Sequence, residues 1–251
     1  MALKRSALLL VVFLIPASLF ANKLYFPQVA FGGGYTTTIV LLNRGTTNVS
    51  SNFQVFGQNG APILSLPVTV AAGGSTRLTV PDSGPSITSS WGMLDAGDGK
   101  VQGMATFEYR STSGALTTIA GVPGLEAGNG FTLPVDVAGN GIAANTAIAM
   151  ANVNPGALTV VLALVSESGS GLTGNDVHFM TLASGQQVAE FVTTIWPNLA
   201  AGGFKGTLAV SVVYSAQQPN SLVLTALSGR DGLFSALPVI PGTDCNGCWD
   251  Y

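Results

Sequence analysis

Charge, histidine and cysteine are all scarce in this chain of 251 residues, and each scarcity removes a class of function. Charged residues make up 8%, against about 25% in ordinary globular proteins. The nine Lys and Arg are scattered, whereas a nucleic-acid partner requires them clustered on one face. A net charge of -3 also argues against an electrostatic grip on membranes or polyanions. His178 is the one histidine, and Cys245 and Cys248 are the only cysteines. Outside the tail, the chain therefore cannot assemble the three or four His and Cys ligands of a typical zinc site. Gly32-Gly-Gly34 and Gly73-Gly74 have no Lys-Ser/Thr after them, so no phosphate-cradling loop is encoded. No stretch of ten or more residues has a helical apolar period, and after Lys23 no apolar run is long enough to span a bilayer as a helix.

What the chain has in quantity is apolar residues, 47%, and glycine, 32 residues. That hydrophobicity is incompatible with disorder. Short runs rich in β-branched residues alternate with Gly, Asn and Ser turns every eight to twelve residues. Thr36–Leu42 reads as a strand closed by Asn43-Arg-Gly45, and Asn59-Gly60 is the strongest hairpin signal. Ile63–Val70, crossed by Pro67, reads as an edge strand or two short pieces. Val101, Gly103, Ala105, Phe107 and Tyr109 share one face of a further strand. The fold class this predicts is all-β, of the sandwich type. An outer-membrane barrel needs longer strands with aromatic girdles and fits less well. Lys4 and Arg5 followed by apolar Ala7–Phe20 read as a secretory signal peptide over residues 1–21, with a membrane anchor as the rival reading.

Residues 131–239 form a strand-rich unit opened by Phe131-Thr-Leu-Pro-Val135 and closed by Phe234-Ser-Ala-Leu-Pro-Val239. An imperfect copy precedes it. Phe26 and Phe131, Trp91 and Trp196, Leu94 and Leu199, Gly97 and Gly202, and Tyr109 and Tyr214 recur at one constant spacing. Gly103 and Gly206 fall two residues off it. The expectation is two tandem immunoglobulin-like β-sandwich domains after the leader, 22–130 and 131–239, with a tail at 240–251. Trp91, Trp196, Tyr109 and Tyr214 are then core markers of the repeat. Trp91-Gly-Met-Leu94 and Trp196-Pro-Asn-Leu199 read as single helical turns that plug one end of each sandwich. An aromatic platform for sugar is the competing role for the two indoles.

The phrases Phe131-Thr-Leu-Pro-Val135, Ile148-Ala-Met-Ala-Asn-Val-Asn-Pro-Gly156, Glu190-Phe191, Ile195-Trp-Pro197, Phe204-Lys-Gly-Thr-Leu208 and Leu237-Pro-Val239 resemble a β-sandwich repeat module of secreted and surface proteins from acidobacteria and related bacteria. The first unit matches through Phe26-Pro27, Gly33-Gly34, Asn43 and Gly103, and departs in lacking Pro after Asn43. The resemblance implies an extracellular β-sandwich used alone or as an appendage, and it brings no catalytic motif.

Few residues are candidates for chemistry. Asp95 and Asp98, in Asp95-Ala-Gly-Asp-Gly-Lys100, are spaced like part of a calcium loop but lack the further ligands and closing Glu of an EF-hand. A solvated turn is the alternative. His178 lies on a strand with no nucleophile elbow anywhere in the chain, which argues against a Ser-His-Asp hydrolase. Cys245-Asn-Gly-Cys248 reads as a local disulfide in an exported protein; intermolecular pairing and a metal site built across chains are its rivals. The functional expectation is a non-enzymatic secreted or cell-surface protein of structural or adhesive type, with cell-surface, glycan or matrix partners and no cofactor. A carbohydrate- or calcium-dependent binding module is the alternative.

Overall fold

The computed structural model describes residues 22–81, 84–97, 100–138, 144–169, 176–213, 220–231 and 233–242. The leader at 1–21, Asp98, Tyr214, the Cys245–Cys248 pair and the aromatic end of the tail lie outside the described residues. Among the described residues, no helix is long and apolar enough to cross a membrane.

The chain forms β1 (Lys23–Phe31), β2 (Tyr35–Asn43), β3 (Val49–Gly57), β4 (Pro62–Val70), β5 (Ser75–Val80), β6 (Thr88–Asp95), β7 (Val101–Arg110) and β8 (Leu116–Pro123). After a connector come β9 (Gly130–Val137), β10 (Asn145–Asn152), β11 (Leu158–Ser166), β12 (Val177–Leu182) and β13 (Gln187–Phe191). Two helical turns follow, α1 (Val192–Ile195) and α2 (Leu199–Gly202), then β14 (Phe204–Val212), β15 (Leu222–Arg230), β16 (Leu233–Leu237) and β17 (Ile240–Pro241). All strand pairs are antiparallel. Among the described residues they build four sheets: sheet I, β1-β6-β3-β4; sheet II, β5-β2-β7-β8; sheet III, β13-β10-β15-β16; and sheet IV, β12-β11-β14-β9-β17. Apart from β17, the strands of the second half repeat the pairing order of the first.

The sheets follow from the alternation in the sequence. In β3, Phe53 and Val55 are buried and the polar residues between them are not. Together with Phe26, Ile39, Leu41 and Leu94 they fill the core between sheets I and II. Leu133, Ile148, Met150, Leu162 and Leu208 fill the core between sheets III and IV. Gly60, at φ 81°, makes the β3–β4 turn that Asn59-Gly60 announces. As its proline suggests, β4 lies on a sheet edge.

Hydrogen bonds show which positions are equivalent. Thr37 Oγ1 accepts from Ala30 N and donates to Ala30 O, and Thr146 Oγ1 makes the same pair of bonds to Asp136. The Asn43 amide donates to Thr47 O and Val70 O, and Asn43 Oδ1 accepts from Gly45 N. Asn152 does likewise with Gly156 O, Leu182 O, Ala183 O and Asn154 N.

These pairings correct the constant spacing of the recurrent aromatic residues. Trp91 lies within strand β6, not in a helical turn, and by register it lines up with Thr207 of β14. Trp196 follows α1, where the first half has the loop before β6. Phe26 faces Gly92 across the β1–β6 pair, the place that Leu133 takes opposite Leu208. Tyr109 belongs to β7, the counterpart of β15, whereas position 214 follows β14. Loop lengths differ between the halves, so a single spacing cannot track both.

The Leu237-Pro-Val239 phrase ends the second half. Leu237 pairs with Ala226 in sheet III, and Ile240 then crosses to pair with Thr132 in sheet IV.

Candidate functional site

A seam runs between the two halves, and it begins in β15. Every residue of Leu222–Leu227 is buried, Thr225 included, an unbroken burial that a strand with one wet face does not need. Leu222, Leu224 and Ala226 face the second core. Val223 and Leu227 face the other way and are covered by the first half. Beside them on β10, Ala149 and Ala151 are buried too, and their small side chains let the first half approach closely.

The covering surface is the outer face of sheet I. Trp91, Tyr25, Phe56 and Met93 gather there against Ala151 and Val223. Phe56 stacks on Trp91 with ring centroids 4.3 Å apart, and Tyr25 stands 6.4 Å from the same indole. Trp91 is 4% exposed and its Nε1 donates to Gly185 O at 2.8 Å. Trp196 is equally buried, but in the second core, where His178 meets it in a T-shaped contact at 6.2 Å.

One polar side chain spans the seam. Gln187, buried on β13, donates through Nε2 to Pro27 O at 2.7 Å and to Ser90 O at 2.8 Å. Its backbone N–H donates to Gln58 O at 2.9 Å. Pro27 and Gln28 sit where β1 bulges opposite Trp91, and a bulge re-aims the backbone groups that the ladder leaves unpaired. Next to Gln187, Gly60 and Gly185 meet backbone to backbone. A Cβ on Gly60 would lie 2.8 Å from Gly185 Cα, and both residues have positive φ. The connector is stitched down as well: Tyr25 and Leu125 exchange both backbone bonds, and Gly128 pairs with Leu222.

At one end the seam opens into a cleft of about 160 Å³. Tyr35, Phe107 and Ile87 line it from the first half, and Ala149, Phe191 and Phe234 from the second. Phe191 and Phe234 stack at 6.3 Å. Gly229 makes room for Phe234, since a Cβ there would come within 2.8 Å of that ring. Glu190 and Gln28 supply the polar rim. The cleft is smaller than the roughly 300 Å³ at which pockets for drug-sized ligands begin, so it admits one ring rather than an extended molecule.

Burial raises the pKa of Tyr25, and burial together with neighbouring Tyr109 raises that of Tyr35. A tyrosine held neutral in the fold ionises first in the unfolded chain. The stability it contributes is intact below the unfolded value of 10.0 and is lost as pH rises through the folded value. Thermal melts should therefore be insensitive to these two groups at neutral pH and should fall above about pH 10. In a Tyr25→Phe, Tyr35→Phe variant that alkaline fall should shrink; an unchanged alkaline limb would count against this assignment.

The other sequence candidates lie apart from the seam. Asp95 ends β6, exposed, and its Oδ1 accepts from Gly97 N at 3.0 Å, which closes a tight turn. Among the described residues, no three His, Cys, Asp or Glu converge. Gln187 and the Gly60–Gly185 contact were not among the sequence candidates. The one available signal was the strongly apolar strand Leu222–Leu227, interrupted only by Thr225, which points to a strand covered on both faces but not to its cover.

No family model matches the chain, and no curated protein matches it. Among solved structures, the crystal structure of Thermotoga maritima 1070 is similar at 14% identity, with a TM-score of 0.35, over 42% of this chain and 94% of that one.

Proposed function

We propose that this chain is an exported, non-enzymatic protein with a structural or adhesive role, built from two tandem immunoglobulin-like sandwiches that arose by duplication. The seam carries this reading. The second half gives up part of one sheet face to the first, around Ala151 and Val223, with Gln187 and Trp91 bonded across the junction. Such a junction holds two modules as one stiff body, as a spacer or surface protein requires, rather than letting them hinge as most linked domains do. The repeated strand order and the paired Thr37/Thr146 and Asn43/Asn152 motifs support the duplication. The leader read at 1–21 supports export to the cell surface, the medium or the periplasm. The partners expected are cell-surface, glycan or matrix components. The chain from Asn22 onward should co-sediment with isolated cell envelopes or matrix. Retention on neither envelopes nor a glycan panel would overturn the adhesive reading.

The cleft favours a second reading, a binding module that takes a single ring, sugar or aromatic, against Phe191 and Phe234. The two tryptophans do not serve as its platform, because both are buried. On this reading a monosaccharide panel, or toluene, should raise the melting temperature by about 1–3 °C at saturation. Phe234→Ser should abolish that rise. A rise that survives in the variant places the ligand elsewhere.

A further inference from the structure

The cleft at the open end of the seam has a chemical bias that narrows what it takes. Its floor is the face of sheet III turned to the first half. Ala189, Ala149 and Thr225 stand opposite one another there, across β13, β10 and β15. Phe191 and Phe234 form one wall, and Tyr35, in ring contact with Tyr109 at 4.8 Å, forms part of the other. The small floor residues leave room, and the rings make that room apolar. A dry cavity of roughly 150 Å³ holds benzene, and this cleft is about 160 Å³. Thr225 is the polar member of the floor. It is 2% exposed and lies on the strand face opposite to Leu224 and Ala226, which enter the second core. Among the described residues its hydroxyl has no hydrogen-bond partner, yet it is not one of the side-chain atoms sealed from solvent. The space it opens on is the cleft, which Thr225 lines. A nearly buried hydroxyl without a partner is destabilising, and a ligand that bonds to it removes that penalty.

We infer that the cleft is a site for a small phenol, with the aromatic ring between the Phe191–Phe234 wall and Tyr35 and the phenolic hydroxyl on Thr225 Oγ1. A hydroxyl both donates and accepts, so one phenolic group satisfies Thr225 whichever way the proton lies. A sugar fits worse. Its ring carries hydroxyls all round, and each one buried against alanine or phenylalanine loses its partner. Toluene fills the same space but leaves Thr225 unpaired. This inference rests on the second reading above, that the cleft binds a single ring, and names the ring.

NMR titration of the chain from Asn22 onward with phenol, toluene and glucose tests it. Phenol and toluene should shift the methyl signals of Ala147, Ala149 and Thr225, and glucose should not. The deciding quantity is the ratio of the toluene Kd to the phenol Kd. Thr225→Val keeps the shape of the floor and removes the hydroxyl, so the ratio should fall about three- to tenfold, the weight of one hydrogen bond. Thr225→Ser keeps the hydroxyl and should keep the ratio. Because Thr225 has no side-chain partner to lose, Thr225→Val should melt no lower than the parent, which separates loss of binding from loss of fold. No shift with phenol, an unchanged ratio in Thr225→Val, or glucose binding as tightly as phenol would overturn the inference, while binding of toluene or glucose would still support the single-ring reading. N-acetyltyrosinamide binding more tightly than phenol would also overturn it, in favour of a tyrosine presented by a partner. No shift with any of the ligands would defeat both this inference and that reading.

Discussion

Trp91→Ala is expected to lower the unfolding free energy by about 3–5 kcal/mol, the usual cost of truncating a buried aromatic residue. The indole fills the space between sheet I and sheet III, stacks on Phe56 and donates to Gly185 O. Its removal opens a cavity, strands that carbonyl and loosens the joint between halves. Calorimetry should then show one transition in the parent and two in the variant, because each half keeps its own core. Trp196→Ala is the control: it should cost a similar amount by hollowing the second core while leaving the seam intact. The halves should then separate in Trp91→Ala and not in Trp196→Ala. A single sharp transition in both would refute the stiff-joint account, and with it the chief support for a spacer role.

Asn152→Ala should cost about 3–5 kcal/mol: about 1–3 kcal/mol for the buried Leu182 O left without its partner, and less for each of the three part-buried groups. The buried amide donates to Gly156 O, Leu182 O and Ala183 O while its Oδ1 holds Asn154 N–H. Alanine keeps only the Cβ, so the groups that the carboxamide held are left facing the space it vacates. Asn152→Asp should do no better, since it turns a donor into an acceptor against carbonyl oxygens. Asn43→Ala should cost less, because the Asn43 amide reaches two carbonyls, those of Thr47 and Val70. Urea denaturation of the three variants gives the ranking. Equal losses at Asn43 and Asn152 would contradict the hydrogen-bond count. A negligible loss at both would remove one of the two motifs that support duplication.

Strand content was legible in the sequence because alternation is a local property. Val101 to Tyr109 alternates, and β7 runs from Val101 to Arg110. Asn59-Gly60 marks a hairpin because its preferred backbone dihedrals close one. Both depend on residues within a few positions of each other. Trp91 was misread as a helical turn because its neighbours, Gly92 and Met93, carry no strand signal of their own. Tertiary contact decides its conformation: Gly92 is needed in β6 because the Phe53 ring packs over it and leaves no room for a Cβ. The equal spacing of Trp91 and Trp196 misled for a related reason. Loops can differ in length at little cost, so two halves with the same strand order need not share one residue offset.

The sequence by itself determined that the described chain is all-β and that it alternates short strands with glycine and asparagine turns. Each of these follows from residue type and short-range period. Only the tertiary structure decided which sheet faces are covered. Val223 and Ala151 look like any outward residues of a strand until Trp91, far away in the chain, is seen to lie on them. Gln187 reads as a surface glutamine until Pro27 O and Ser90 O are found within reach of its amide. Burial on the second face of a sheet depends on what packs there, and that partner comes from the other half of the molecule.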